Sequence, residues 1–235
     1  MKRGMCLTGA LLAVVALLAL VMTRLDHALE PAMNQVAAQR TALVLDAGHG
    51  GEDGGAVSLT GVPESQINLA IVLDLRDILG LYGVDPILLR DADVSLHDGS
   101  AETLREKKRS DLKNRVAAVE EQENAVLISI HQNTYTNSKY CGSHVFYAPT
   151  EGSQILADYI QTSIRECLQP ENERVVKRIP DTVYLMNHVT CPAVLIECGF
   201  LTNPEEEARL RDENYQRQLA AVIAGAWLTV PEELG

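Results

Sequence analysis

The chain has 235 residues, enough for one ordinary domain with a full hydrophobic core and a short appendage. Its formal net charge is −12, with the acidic residues spread along the sequence rather than gathered in a tail. A nucleic-acid-binding face needs a basic surface, so this composition argues against nucleic acid as a partner and against docking on an anionic membrane surface.

The first residues have the pattern of a targeting signal. Lys2 and Arg3 precede an uncharged apolar run, Met5–Met22. This pattern is typical of an export signal, either a cleaved signal peptide or an uncleaved membrane anchor, and the lack of a clear cleavage site favours the anchor. We therefore expect a signal or anchor in residues 1–24, a spacer in residues 25–40 and a folded domain in residues 41–232. Membrane contact is expected only through the N-terminal segment.

Beyond the spacer, short apolar runs alternate with helical patterns. The runs predict strands at Ala42–Leu45, Val84–Leu89, Ala125–Ile130, Gly142–Ala148, Thr182–Met186 and Ala193–Ile196. Helical spacing predicts helices at Ser65–Tyr82, with Ser65 as the N-cap, and at Glu102–Glu123, Ile155–Leu168, Pro204–Arg211 and Tyr215–Thr229. This alternation predicts a single α/β domain, in which a twisted, mainly parallel sheet is flanked by helices on both faces.

Residues that can bind metal follow three of the predicted strands. His49 lies in a glycine-rich turn after the first strand, Glu64 lies in the loop that leaves this turn, and His131 and Glu197 end two buried strands. Because ligands bind outside the carboxyl ends of parallel strands, we expect all four side chains at one edge of the sheet. Two imidazoles and one carboxylate form a three-ligand zinc site with an open position, and the other carboxylate can serve as general base for the attacking water.

The pattern alone does not fix which glutamate is the ligand. We assign Glu64 as ligand, because a flexible loop lets it swing into place, and Glu197 as base, because a rigid strand gives it fixed geometry. The spacing also leaves open that both histidines are structural, since no local HExxH motif ties the ligands together.

Four motifs in this chain, LDAGHGGEDGGA, PESQINLA, LISIHQN and PAVLIECGFLTNPEE, resemble the zinc-dependent N-acetylmuramoyl-L-alanine amidases of bacteria, the Amidase_3 type. They occur in the family's order between Thr41 and about Val230. Three further stretches, DADVSLHD, REKKRSDLKNRV and RIPDTVYLMNHVTCPAVLIECGF, are most similar to the germination-specific spore-cortex branch. The resemblance implies zinc ligands at His49, Glu64 and His131, and a catalytic glutamate at Glu197.

The resemblance also implies a substrate and a place of action. The substrate is peptidoglycan, cut between N-acetylmuramic acid and the L-alanine of its stem peptide, which in spore cortex precedes muramic-δ-lactam formation. The protein is expected to be exported, membrane-anchored or secreted, in the space where the cortex forms, and some relatives need an accessory lipoprotein. Cell-division relatives carry a long blocking insertion after the second histidine. Here only Thr134–Cys141 separates Asn133 from the next predicted strand, which predicts an open site.

Three more residues are assigned to the surroundings of the site. Arg90 and Asn133 are expected to hold loops near the ligands, and His188 is expected to line the substrate groove.

Three alternatives remain from the sequence: a vegetative cell-wall amidase with the same chemistry, a non-catalytic peptidoglycan-binding protein, and a thiol hydrolase that uses Cys198 with His131 or His49 as its base. The spacing of Cys141, Cys167, Cys191 and Cys198 favours free thiols but leaves disulfides open, and it lacks the CxxC pairs of a four-cysteine zinc site.

Overall fold

The computed structural model describes residues 41–230. The predicted signal or anchor, the predicted spacer and the last two residues of the predicted domain lie outside the described residues. Within residues 41–230, no helix has both the length and the apolar character needed to cross a bilayer.

One sheet runs through the described part of the chain. Its strands are β1 (Ala42–Ala47), β2 (Ile87–Leu88), β3 (Ala125–Asn133), β4 (His144–Tyr147), β5 (Lys177–Arg178) and β6 (Ala193–Phe200). They lie in the spatial order β2-β1-β3-β6-β4-β5. Only β4 and β6 pair antiparallel, and every other pair of neighbours is parallel. The predicted mainly parallel sheet is confirmed.

Helices cover both faces of this sheet. They are α1 (Glu64–Leu81), α2 (Leu104–Glu120), α3 (Ser153–Leu168), α4 (Tyr184–His188), α5 (Pro204–Leu210) and α6 (Glu213–Thr229). The larger core packs α1, α3 and α6 against one face, and a smaller core packs α2 and α4 against the other. Alternate residues of β1 enter the two cores, with Leu43 and Leu45 in the larger and Val44 in the smaller. Because the sheet is covered on both faces, the sequences of the central strands are continuous apolar runs.

Two local predictions are wrong. Thr182–Met186 does not form a strand; the chain turns there and enters α4 at Tyr184. The edge strand is β5 instead, and both of its residues are exposed and basic, so no apolar pattern marks it. Ser65 is also not the N-cap of α1, because the helix starts at Glu64 and Pro63 takes the cap position without a side-chain hydrogen bond.

The three central strands bring distant parts of the chain to one edge. Since β1, β3 and β6 are parallel neighbours, their carboxyl ends lie side by side. The register pairs Asp46 with Ser129 across β1 and β3, and His131 with Glu197 across β3 and β6.

Candidate active site

His49 lies in a strained turn directly after β1. Its φ is 62°, in the left-handed region that residues other than glycine rarely adopt. Two buried arginines hold the turn by its carbonyl groups: Arg90 Nε donates to Ala47 O at 2.7 Å, and Arg115 Nη2 donates to His49 O at 2.7 Å. Arg115 in turn forms a buried ion pair with Asp46. The backbone conformation that presents His49 is therefore fixed by groups outside the turn.

The His49 ring lies between two carboxylates. Its Nε2 is 2.6 Å from Glu64 Oε1, and its Nδ1 is 3.0 Å from Asp53 Oδ2. Burial alone lowers the pKa of His49, but the hydrogen bonds to Asp53 and Glu64 outweigh it and raise the pKa to about 9. Without a metal, the two carboxylates therefore keep the His49 ring protonated and positively charged.

Glu64 is held more rigidly than the sequence suggested. It is the first residue of α1, is 3% exposed and does not lie in a flexible loop, so that prediction is wrong. Oε1 accepts the Ala56 N–H at 3.1 Å, and Oε2 accepts the Gln132 N–H at 2.9 Å. Burial tends to raise the pKa of Glu64, but His49 and His131 outweigh burial and keep the pKa below its ordinary value. The carboxylate is therefore charged and fixed in position.

His131 completes the cluster from the end of β3. Its ring lies edge-on to the His49 ring, with 5.1 Å between the centroids. Burial lowers the pKa of His131 to about 4, so the imidazole is neutral at physiological pH, the state in which it binds metal.

The three residues fit a zinc ion. One possible ligand atom from each of His49, Glu64 and His131 lies within 4.8 Å of the other two. Two neighbouring glycines leave the space for them: a Cβ on Gly48 would lie 2.2 Å from the His131 ring, and a Cβ on Gly55 would lie 2.2 Å from Glu64 Oε1. Two imidazoles and one carboxylate are a donor set that zinc uses at catalytic sites with an open position.

Glu197 lies beside this cluster on β6. Its Oε2 is buried and has no hydrogen-bond partner among the described residues. Burial, and after it the charge of Glu64, raise the pKa of Glu197 to about 8. A carboxyl group with a pKa near neutrality can accept and return a proton at physiological pH.

All but Glu64 of these side chains line a common cavity of about 240 Å³. His49, His131 and Glu197 contribute to its wall, together with Lys108 of α2 and Tyr184 of α4. A larger cavity of about 480 Å³ lies elsewhere, and none of the candidate metal ligands lines it. The smaller cavity, where the titratable groups converge, is the better candidate for the active site.

The three residues assigned to the surroundings have different positions. Arg90 is 3% exposed and bonds to backbone carbonyls, so it supports the His49 turn. Asn133 ends β3, where its carbonyl accepts the Leu201 N–H at 2.8 Å. His188 is exposed and does not line the cavity; it stacks on Tyr184, which does, with 3.8 Å between ring centroids.

Asp53 and Lys108 have roles that the sequence analysis did not assign. Asp53 accepts or shares the proton of His49 Nδ1, and Lys108 Nζ lies 3.1 Å from the same Asp53 oxygen. A carboxylate on the second ring nitrogen orients a metal-binding histidine and fixes its tautomer. The sequence feature that could have revealed the role of Asp53 was the presence of a carboxylate four residues after His49, within the same turn.

The geometry excludes Cys198 as a nucleophile. Cys198 is fully buried in the larger core, on the opposite side of β6 from Glu197. Burial, and after it the charge of Glu197, raise the pKa of the Cys198 thiol, which keeps it protonated. All four cysteines of the described chain are unpaired, as the spacing favoured.

Comparison with known proteins identifies the family. Residues 43–227 match the N-acetylmuramoyl-L-alanine amidase family, Amidase_3. The germination-specific N-acetylmuramoyl-L-alanine amidase of Bacillus subtilis (strain 168) is 36% identical over 182 residues, which cover 77% of this chain and 76% of that protein. The chain therefore belongs to the Amidase_3 family, and the resemblance seen in its motifs is confirmed.

Solved structures agree with this assignment. The CwlD amidase from Clostridioides difficile, solved in complex with the GerS lipoprotein, is 37% identical with a TM-score of 0.78, and the match covers 81% of this chain and 98% of CwlD. The catalytic domain of the amidase CwlV from Bacillus (Paenibacillus) polymyxa is 29% identical with a TM-score of 0.66, over 82% of this chain and all of that domain.

Proposed function

We propose that this chain is a zinc-dependent enzyme that hydrolyses the amide between N-acetylmuramic acid and L-alanine in peptidoglycan. The observation that carries the proposal is the convergence of His49, Glu64 and His131 into one metal-binding cluster beside Glu197. Binding of peptidoglycan alone does not require a proton-accepting carboxyl group next to such a cluster, whereas hydrolysis does, and the pKa of Glu197 is about 8.

In this proposal His49, Glu64 and His131 hold the zinc, which, when bound, supplies a Lewis acid that acidifies water and polarises the scissile carbonyl. Glu197 accepts the proton of the attacking water and later gives it to the departing amine of L-alanine. Asp53 keeps His49 oriented for binding. The water oxygen becomes part of the lactyl carboxylate, and the peptide leaves with a free amino group.

We place the enzyme in the spore cortex, outside the cytoplasm. The germination-specific relative of B. subtilis and the C. difficile CwlD amidase support this role, and the apolar N-terminal run supports export. Because CwlD was solved with a lipoprotein, we also propose that an accessory lipoprotein of this kind assists the enzyme. The vegetative cell-wall amidase remains the second candidate, since its chemistry is the same.

The test is a digest of two purified peptidoglycans, one from spore cortex and one from vegetative walls. Residues 41–235 and the full chain are each incubated with added zinc, with a chelator, and with chelator followed by zinc. We expect free peptides that begin with L-alanine, detected by mass spectrometry, only where zinc is available, and more from cortex than from vegetative wall.

Each alternative has its own outcome. Equal release from both walls would support the vegetative enzyme, and release in the presence of chelator would contradict zinc dependence. If release appears only after the cognate lipoprotein is added, the partner proposal is supported. Binding of muropeptides without any release, with or without that lipoprotein, would overturn the amidase proposal.

A further inference from the structure

The candidate active-site cavity continues into a second depression on the same side of the sheet. This depression, of about 230 Å³, is lined by Arg105, Lys108, Arg109, Leu112 and Tyr184. Lys108, Leu112 and Tyr184 also line the cavity that contains His49 and Glu197. The two depressions therefore form one groove, which runs from the candidate metal centre along α2.

A single face of α2 supplies the wall of this groove. Arg105, Lys108, Arg109 and Leu112 stand at positions i, i+3, i+4 and i+7 of the helix, so their side chains share one face. Tyr184 of α4 lies across from them in the lining of both depressions. We call this set of three cations, Arg105, Lys108 and Arg109, the basic face of α2.

Two of these cations have no partner within residues 41–230. Arg105 and Arg109 are exposed, and neither forms a hydrogen bond or ion pair with any described residue. Lys108 lies 3.1 Å from Asp53 Oδ2 and so joins the basic face to the His49 turn. In a chain with 32 acidic and 20 basic residues, unpaired guanidinium groups beside the candidate active site are an unexpected local excess of positive charge.

Helix stability does not account for this arrangement. Arg105 and Arg109 are an i,i+4 pair of like charge, which weakens a helix. Arg105 also lies in the first turn of α2, where the helix dipole disfavours cations. A capping box between Thr103 and Glu106 offsets part of this cost. The cations are thus placed against local preference, which indicates a ligand for them.

We propose that the basic face of α2 binds the free carboxylate of the second stem residue, which lies on the amine side of the bond that is cut. This inference rests on the amidase function proposed above. The lactyl carboxyl group is consumed in the scissile amide and the adjoining sugars are neutral, so the glycan offers no charge near the cut. The peptide that follows L-alanine carries free carboxylates, which guanidinium groups recognise well.

The test compares two muropeptide tetrasaccharides that differ only at the second stem residue, which carries either a free or an amidated carboxylate. Initial rates are measured for the wild type and for Arg105→Ala/Arg109→Ala. We expect the wild type to prefer the free acid, and the variant to raise KM for that substrate roughly tenfold with kcat nearly unchanged, at about two to five-fold per exposed charge pair. For the amidated substrate, the KM of the variant should match that of the wild type.

A matched control removes two arginines from the other side of the sheet, the half-buried Arg76 of α1 and the exposed Arg217 of α6. Arg76→Ala/Arg217→Ala changes the net charge by the same amount, but neither arginine lines the groove. The control should keep the wild-type KM and the preference for the free acid.

Two results overturn the inference. They are an unchanged KM in Arg105→Ala/Arg109→Ala, and an equal rise in KM for both substrates, which would point to the glycan or to a general effect of charge. If the wild type releases no peptide from either substrate under any condition, the proposed amidase function fails instead. The two failures are therefore distinguishable within one data set.

Discussion

At the scale of one residue, Glu197 shows how the fold prepares the group that we propose as the general base. It lies on the central strand β6, where one of its oxygens is buried without a partner among the described residues. Its pKa of about 8 lies above the ordinary value of 4.5. The native state therefore holds the proton more tightly than the unfolded chain does, and the free energy of unfolding falls as the pH rises from about 4.5 to 8.

We predict that Glu197→Gln removes this pH-dependent loss and abolishes turnover. In metal-free protein, the stability gain over wild type should be about 1–3 kcal/mol larger at pH 8.5 than at pH 5.5, because glutamine carries no charge to bury. Peptide release should fall by about 10³-fold or more. Urea unfolding at the two pH values and a rate assay with zinc provide the measurements. A gain of equal size at both pH values, or near-normal release, would show that Glu197 is not the poised base.

Asp53 gives a second prediction at this scale. Asp53→Asn replaces the carboxylate on His49 Nδ1 by a neutral amide, so we expect zinc affinity to fall about 10–100-fold. The control is Glu52→Gln, because Glu52 pairs with Lys107 and forms no hydrogen bond or ion pair with His49. Competition with a chromophoric chelator measures both affinities. Equal affinities of the two variants would contradict an orienting role for Asp53.

At the scale of elements, the turn between β1 and α1 is the part of the fold most specialised for the site. Gly48 has no room for a side chain, because a Cβ there would lie 2.2 Å from the His131 ring. Gly225, inside α6 (Glu213–Thr229), has nothing within 4 Å of the same position. Glycine is therefore required at position 48 by the packing of the site. At position 225 it is not required and only lowers the stability of the helix.

We predict opposite effects for the two alanine variants. Gly48→Ala should lower the free energy of unfolding by about 1–3 kcal/mol and abolish zinc binding, since the His131 ring has to move. Gly225→Ala should raise the free energy of unfolding by about 0.5–1 kcal/mol and leave zinc binding unchanged, because alanine is the better helix former. Chemical denaturation and zinc titration test both. Normal zinc binding by Gly48→Ala would contradict the close packing of the turn on His131.

The strands also show which parts of the fold and of the site can be predicted from the sequence. The central strands were predictable because burial on both faces leaves continuous apolar runs, as in Ala125–Ile130. The edge strand β5 was not, because Lys177 and Arg178 are exposed and carry no such signal. The positions of His49, His131 and Glu197 at strand ends predicted a shared edge. The placement of Asp53 and the fixed state of Glu64 depend on side-chain contacts that only the folded turn defines.

At the scale of the whole molecule, the candidate metal centre depends on the complete sheet. Its ligands are distant in sequence, from His49 to His131, and they meet because β1 and β3 are adjacent and parallel, while the neighbouring β6 places Glu197 beside them. The unfolded chain cannot present this cluster, so a metal that binds it stabilises only the folded state. Metal binding and global stability are therefore linked.

We predict that zinc raises the Tm of the metal-free protein. At a free zinc concentration about 100 times the Kd, the linkage contributes about 2.7 kcal/mol, which corresponds to a rise of roughly 5–10 °C for a domain of this size. Magnesium should have little effect, because it prefers oxygen ligands in an octahedral arrangement.

Two variants show whether the rise in Tm comes from this cluster. His131→Ala removes a ligand and should lose the shift, whereas Glu197→Gln keeps all three ligands and should retain it while lacking activity. Calorimetry with chelator, with zinc and with magnesium gives all of these values. If His131→Ala keeps the zinc-dependent rise, the metal binds elsewhere on the protein, and the parallel strands assemble the three residues for another purpose.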